Sequence, residues 1–109
     1  MCHCLECQRR TGSAFGVQAW YSKDEVQSIE GAVKRYARVA ESGRTVNFGF
    51  CPECGGTVCW EAEMRPDMIG VAVGTFADPG FEPPSVSGWE RTQHSWTKAI
   101  RAEKIEHSE

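Results

Sequence analysis

The feature that most constrains this chain is the placement of its cysteines. Six occur in 109 residues, and five fall in two tight groups. Cys2, Cys4 and Cys7 read C-x-C-x-x-C, while Cys51 and Cys54 sit within C-P-E-C-G-G. Thiols two or three positions apart make poor disulfide partners, because the bridge demands a specific backbone separation and converging Cβ directions. The same spacing suits thiolates that fold around a metal, so zinc ligation is favoured over cross-linking. A cytoplasmic setting is expected, because residues 1–20 carry Cys, Arg and Gln where an apolar signal segment would lie. Cys59 stands apart in Val58-Cys59-Trp60 and reads as a small buried hydrophobe.

Composition sets the remaining bounds. The length fits one domain over residues 1–109 with a modest core that a metal would help to hold. A content of 40% hydrophobic and 10% aromatic residues excludes a disordered chain. No apolar run approaches the ~18 residues of a spanning helix, so no membrane partner is expected. A net charge of −3 argues against a nucleic-acid partner held by charge.

Periodicity points to an all-β fold of short antiparallel strands with little helix. Strands are expected over Phe15–Tyr21, Val33–Val39, Thr45–Phe50, Thr57–Glu61 and Ser85–Trp89. Met68–Phe76, the most apolar run, is the candidate central strand. Ser22 with Glu25 suggests a capping box opening a helical turn over Lys23–Ser28, and Ser95–Arg101 a short terminal helix. Glu41–Arg44 reads as a hairpin turn, and Asp78-Pro79-Gly80 and Pro83-Pro84 as breakers. Trp20, Trp60, Trp89 and Trp96 are expected to fill the core.

Spacing leaves two metal arrangements open. Cys4, Cys7, Cys51 and Cys54 would make one closed, structural four-cysteine zinc ribbon with Cys2 a spectator. Spacing alone favours this non-catalytic binding or scaffold protein. Alternatively Cys2, Cys4 and Cys7 share one zinc and leave its fourth position open, the mark of a catalytic site.

Longer motifs shift that balance. Cys2-His3-Cys4-Leu5-Glu6-Cys7-Gln8-Arg9-Arg10-Thr11-Gly12-Ser13-Ala14-Phe15 resembles the motif of the glutathione-dependent formaldehyde-activating enzyme family, which includes a domain of centromere protein V. Phe50-Cys51-Pro52-Glu53-Cys54-Gly55-Gly56-Thr57, Val73 through Pro79, and Pro83-Pro84-Ser85-Val86 through His94-Ser95-Trp96 continue the resemblance over nearly the whole chain. It implies a β-tent fold with two zinc sites. Cys2, Cys4 and Cys7 would hold the catalytic zinc, and Cys51 and Cys54 would be half of a structural site. The other half, in the family, is a C-x-C on a strand upstream of the first motif. This sequence begins at that motif, so only one half is expected here, and a sheet edge left open would allow a homodimer. The implied activity is that of a carbon–sulfur lyase, forming or cleaving a thiol–aldehyde adduct such as S-hydroxymethylglutathione.

Other residues are candidates by chemistry. Arg9 and Arg10 could grip the carboxylates of a glutathione-like thiol. Thr11-Gly12-Ser13 is expected to form a turn, either one whose backbone amides face the site or simply a turn. His3, between two ligands of an extended segment, is expected to face solvent. His94 is the better remote candidate for proton transfer, against a structural role beside Trp96, and His107 is expected near a frayed terminus. Asp78 is expected in a turn.

Overall fold

The computed structural model describes residues 1–99 and 106–108. Its secondary structure is mainly strand, with one α-helix of seven residues and four 3-10 turns, so the expected all-β class holds. By contacts the chain divides into two compact units, Ala19–Thr75 and Met1–Gln18 with Phe76–Glu109.

The Ala19–Thr75 unit is built on a five-stranded sheet. Its strands are β1 (Gln18–Ser22), β2 (Lys34–Val39), β3 (Thr45–Phe50), β4 (Thr57–Ala62) and β5 (Met68–Ala72), in the order β1-β5-β4-β3-β2. β2 through β5 form an antiparallel meander, with Tyr36 opposite Phe48, Phe48 opposite Trp60 and Trp60 opposite Gly70. The expected hairpin turn forms: Ala40 N–H donates to the Arg44 carbonyl and Gly43 N–H to the Ala40 carbonyl. Side chains on one face of β3 and β4 make the core. Trp60 is buried against Phe48, at 5.7 Å between ring centroids, and meets Trp20 edge-on at 6.2 Å. The Arg65 guanidinium lies 4.7 Å over the Trp20 ring and closes that flank. On the opposite face Arg35, Gly49 and Cys59 form one cross-strand row, in which the missing side chain of Gly49 makes room for the other two. Cys59 is buried there, as expected of a small hydrophobe.

Four expectations are corrected here. The apolar run from Met68 is strand only to Ala72, because Val73–Phe76 winds into a 3-10 turn, and the middle strand is β4. The Ser22 side chain makes no capping bond, and the turn after it spans only Lys23–Glu25. Lys23 N–H donates instead to the Asp67 carbonyl, so the turn is held from outside itself.

The other unit contains α1 (Leu5–Thr11) and the short strands β6 (Val86–Ser87) and β7 (Glu106–His107), which pair in parallel. Residues 1–3 extend this pairing. Gly88 N–H donates to the Met1 carbonyl, His3 N–H to the Gly88 carbonyl, and Cys2 exchanges two hydrogen bonds with Gly16. The first cysteine is therefore fixed between two segments remote in sequence. Ser95–Ala99 forms a 3-10 turn, and the expected helix beyond Ala99, to Arg101, lies outside the described residues. Trp89 and Trp96 are 50% and 60% exposed, so of the four tryptophans only Trp60 is fully buried.

Candidate metal centre

Local structure explains why three thiols meet at the start of α1. Cys4 takes an extended conformation as the helix N-cap, and its sulfur accepts from the Cys7 backbone N–H at 3.3 Å. One helical turn thus brings Cys7 back beside Cys4. The helix stops at Gly12, whose φ of 63° is the left-handed conformation that glycine adopts without a Cβ clash. The Gly12 N–H donates to the Gln8 carbonyl, so Thr11-Gly12-Ser13 is a helix C-cap. Cys2, held in the bridge to Gly16, supplies the third sulfur.

The three Sγ atoms lie within 4.8 Å of one another. Zinc–sulfur bonds of about 2.3 Å at tetrahedral angles separate ligand sulfurs by about 3.8 Å. Closing these thiols on a zinc ion therefore requires contraction of at most about 1 Å, and three soft sulfurs are a donor set such an ion accepts. The cluster includes Cys2, which the closed-ribbon arrangement leaves aside.

The sulfurs already interact as a proton-sharing set. Hydrogen bonds from the Cys2 and Cys7 thiols hold Cys4 far below the ordinary thiol range. Donation to Cys4 and then Cys7, reinforced by burial, pushes Cys2 strongly up. Cys7 is drawn down by the bond from Cys2, but its bond to Cys4 together with burial outweighs this and leaves it raised.

The surroundings are close-packed. A Cβ on Gly16 would stand 2.7 Å from the Arg10 guanidinium and 3.4 Å from the Cys7 Cβ, so only glycine leaves both where they are. Arg10 acts electrostatically on Cys7, favouring its thiolate. Arg9 points elsewhere and pairs with Glu6 at 2.7 Å on the exposed side of α1.

His3 differs from expectation. It is 2% exposed, with Nε2 on the Ser87 Oγ at 3.0 Å and its ring against Phe15. Alternation along an extended segment turns it away from the sulfurs, but β6 covers that side, so it is buried. His94 contacts Gln8 through Nε2 and meets Trp96 edge-on. His107 is not loose: it lies in β7 and pairs with Glu90. Asp78 closes a turn by accepting from Gly80 N–H.

Cys51 and Cys54 occupy the expected knuckle in the Ala19–Thr75 unit. Cys51 N–H donates to the Gly56 carbonyl and Gly55 N–H to the Cys51 carbonyl, with Gly55 at a φ of 76°. Backbone N–H groups of Cys54 and Glu53 aim at the Cys51 sulfur and lower its pKa, so the turn favours a thiolate. The residue missed from sequence is Gln8, whose partners are up to 86 positions away and leave no local signal.

These features define a small all-β protein with a three-thiol cluster suited to a soft metal. Residues 1–99 match the family described as glutathione-dependent formaldehyde-activating enzyme, and the chain belongs to that family. A comparison with curated proteins finds no match.

Proposed function

We propose that this chain is a zinc-dependent enzyme of the carbon–sulfur lyase type, forming or cleaving an adduct between an aldehyde such as formaldehyde and a thiol such as glutathione. The observation that carries this reading is the convergence of Cys2, Cys4 and Cys7 within 4.8 Å, in a chain of a family described by glutathione and formaldehyde. Zinc bound there would supply a Lewis-acidic position able to accept a soft thiolate or polarise an aldehyde oxygen.

The chain's own residues provide the rest. Cys4 offers a ready thiolate, and Cys7 and Cys2 give up their protons when metal competes for them. Three thiolates around a divalent ion leave a formal charge of about −1, which the Arg10 guanidinium beside Cys7 offsets. Arg9, on the exposed face of α1, could exchange its Glu6 partner for a substrate carboxylate. Cys51 and Cys54 provide two thiolate ligands for a second, structural zinc.

The test is zinc per chain in anaerobically purified wild type and Cys2→Ser, followed by NMR detection of a hydroxymethyl thioether from glutathione and formaldehyde. Wild type should hold one zinc equivalent more than the variant, and only wild type should change the adduct's rate of formation or decay. Equal zinc in both proteins would remove the open three-thiolate site and the enzyme reading with it.

A further inference from the structure

Gln8 follows Cys7 on α1, and its carboxamide makes three hydrogen bonds. Nε2 donates to the His3 carbonyl at 2.9 Å and to the Thr92 carbonyl at 3.0 Å, while Oε1 lies 3.0 Å from His94 Nε2. Carbonyl oxygens only accept, so both amide hydrogens are committed and the orientation of the carboxamide is fixed. An amide oxygen also only accepts. His94 Nε2 must therefore carry the hydrogen, and in the neutral ring Nδ1 is left as an acceptor.

The rest of the setting holds the imidazole in place. The buried Thr97 donates to the His94 carbonyl through Oγ1 at 2.7 Å and through its N–H at 3.0 Å. The ring meets the exposed Trp96 edge-on at 5.8 Å, and His94 itself is exposed. Thr92 Oγ1 also donates to the His3 carbonyl, so the residue between Cys2 and Cys4 is tied to the segment leading to His94.

We propose that Gln8 is a positioning residue that holds His94 in the Nε2–H form, leaving Nδ1 to take the proton of the substrate thiol. The inference rests on the thiol–aldehyde reading above. As the thiol S–H bond breaks, its proton passes to Nδ1 and the sulfur electron pair forms the S–C bond. The carbonyl π pair moves onto the aldehyde oxygen, which then takes the proton back from Nδ1. Cleavage runs the same steps in reverse, and neither direction needs an oxidant or a reductant.

The test combines ¹⁵N NMR of the His94 ring in wild type and Gln8→Ala with turnover of His94→Gln, all in the zinc-loaded protein. Wild type should show hydrogen on Nε2 and a bare Nδ1, and Gln8→Ala should show a mixture of tautomers. His94→Gln keeps a side-chain donor for Gln8 but has no base. It should retain zinc and KM while kcat falls about 10²-fold, the usual contribution of general base catalysis. Hydrogen on Nδ1 in wild type, an unchanged tautomer in Gln8→Ala, or wild-type kcat in His94→Gln would each overturn the proposal. Zinc-loaded wild type without turnover would sink the thiol–aldehyde reading, while the tautomer in wild type and Gln8→Ala would still decide what Gln8 does.

Discussion

Close approach at single residues sets much of the packing, and Gly70 is the sharpest instance. It stands opposite Trp60 across β4 and β5, and a Cβ placed there would lie 2.4 Å from the indole Nε1 and 2.7 Å from Cε2. Trp60 is a rigid ring, buried and wedged between Phe48 and Trp20, so it has nowhere to retreat. Gly70→Ala should therefore destabilise the fold by about 1–3 kcal/mol, the usual cost of overpacking a core. Urea unfolding followed by tryptophan fluorescence would read this as a lower midpoint. The contrast with Gly16 is instructive. There the nearest atom is the tip of the Arg10 side chain, which can swing aside, so Gly16→Ala should shift stability less but reduce zinc affinity by displacing Cys7, as a chelator competition would report. Residue by residue, what sequence conveyed was identity and spacing: the thiols, the buried Cys59, the turn at Asp78. It did not convey what covers a side chain, since His3 is buried beside Ser87 while Trp96 stays 60% exposed.

Elements were legible in proportion to their period. β2, β3 and β4 fall within a residue of their expected bounds, although adjacent residues are buried together in β3 and β4. α1 gave no such signal, because none of its residues is buried and an apolar stripe is what betrays a helix. Its determinants are instead a cysteine acting as N-cap and a glycine at the C-cap. β6 and β7 are two residues each, too short for any period, and are stabilised by contacts around them. One such contact is the pairing of His107 with Glu90, whose carboxyl is held below the usual range by hydrogen bonds from His107 and Ser87. A carboxylate depressed in the folded state stabilises it above its unfolded pKa, and that contribution fades as pH falls through the folded value. Glu90→Gln should accordingly lower the melting temperature at pH 6, and the gap from wild type should shrink below pH 4. A constant gap across that range would mean the carboxylate charge plays no part.

At the scale of the molecule, a metal held by the thiol cluster as proposed would make folding and metal binding one equilibrium. Any ligand that binds only the folded chain raises its stability with the logarithm of ligand concentration over Kd. Stripping zinc with a chelator should therefore lower the melting temperature, and re-addition should restore it. The residues held by backbone bridges around Cys2, namely His3, Gly16 and Gly88, should lose hydrogen-exchange protection when it goes. The proton balance of that equilibrium follows from the cluster itself. Before metal arrives Cys4 already favours the thiolate, whereas Cys7 and Cys2 are held protonated by hydrogen bonding and burial. Filling the site near neutral pH should thus expel about two protons per zinc, and apparent affinity should rise about a hundredfold per pH unit there. Cys51→Ser/Cys54→Ser chain isolates this site, and calorimetry in two buffers of different ionisation enthalpy would count the protons. Release near zero would show that these thiols do not become ligands. Release near three would show that Cys4 also starts protonated, and that its bonds from Cys2 and Cys7 do not hold in solution.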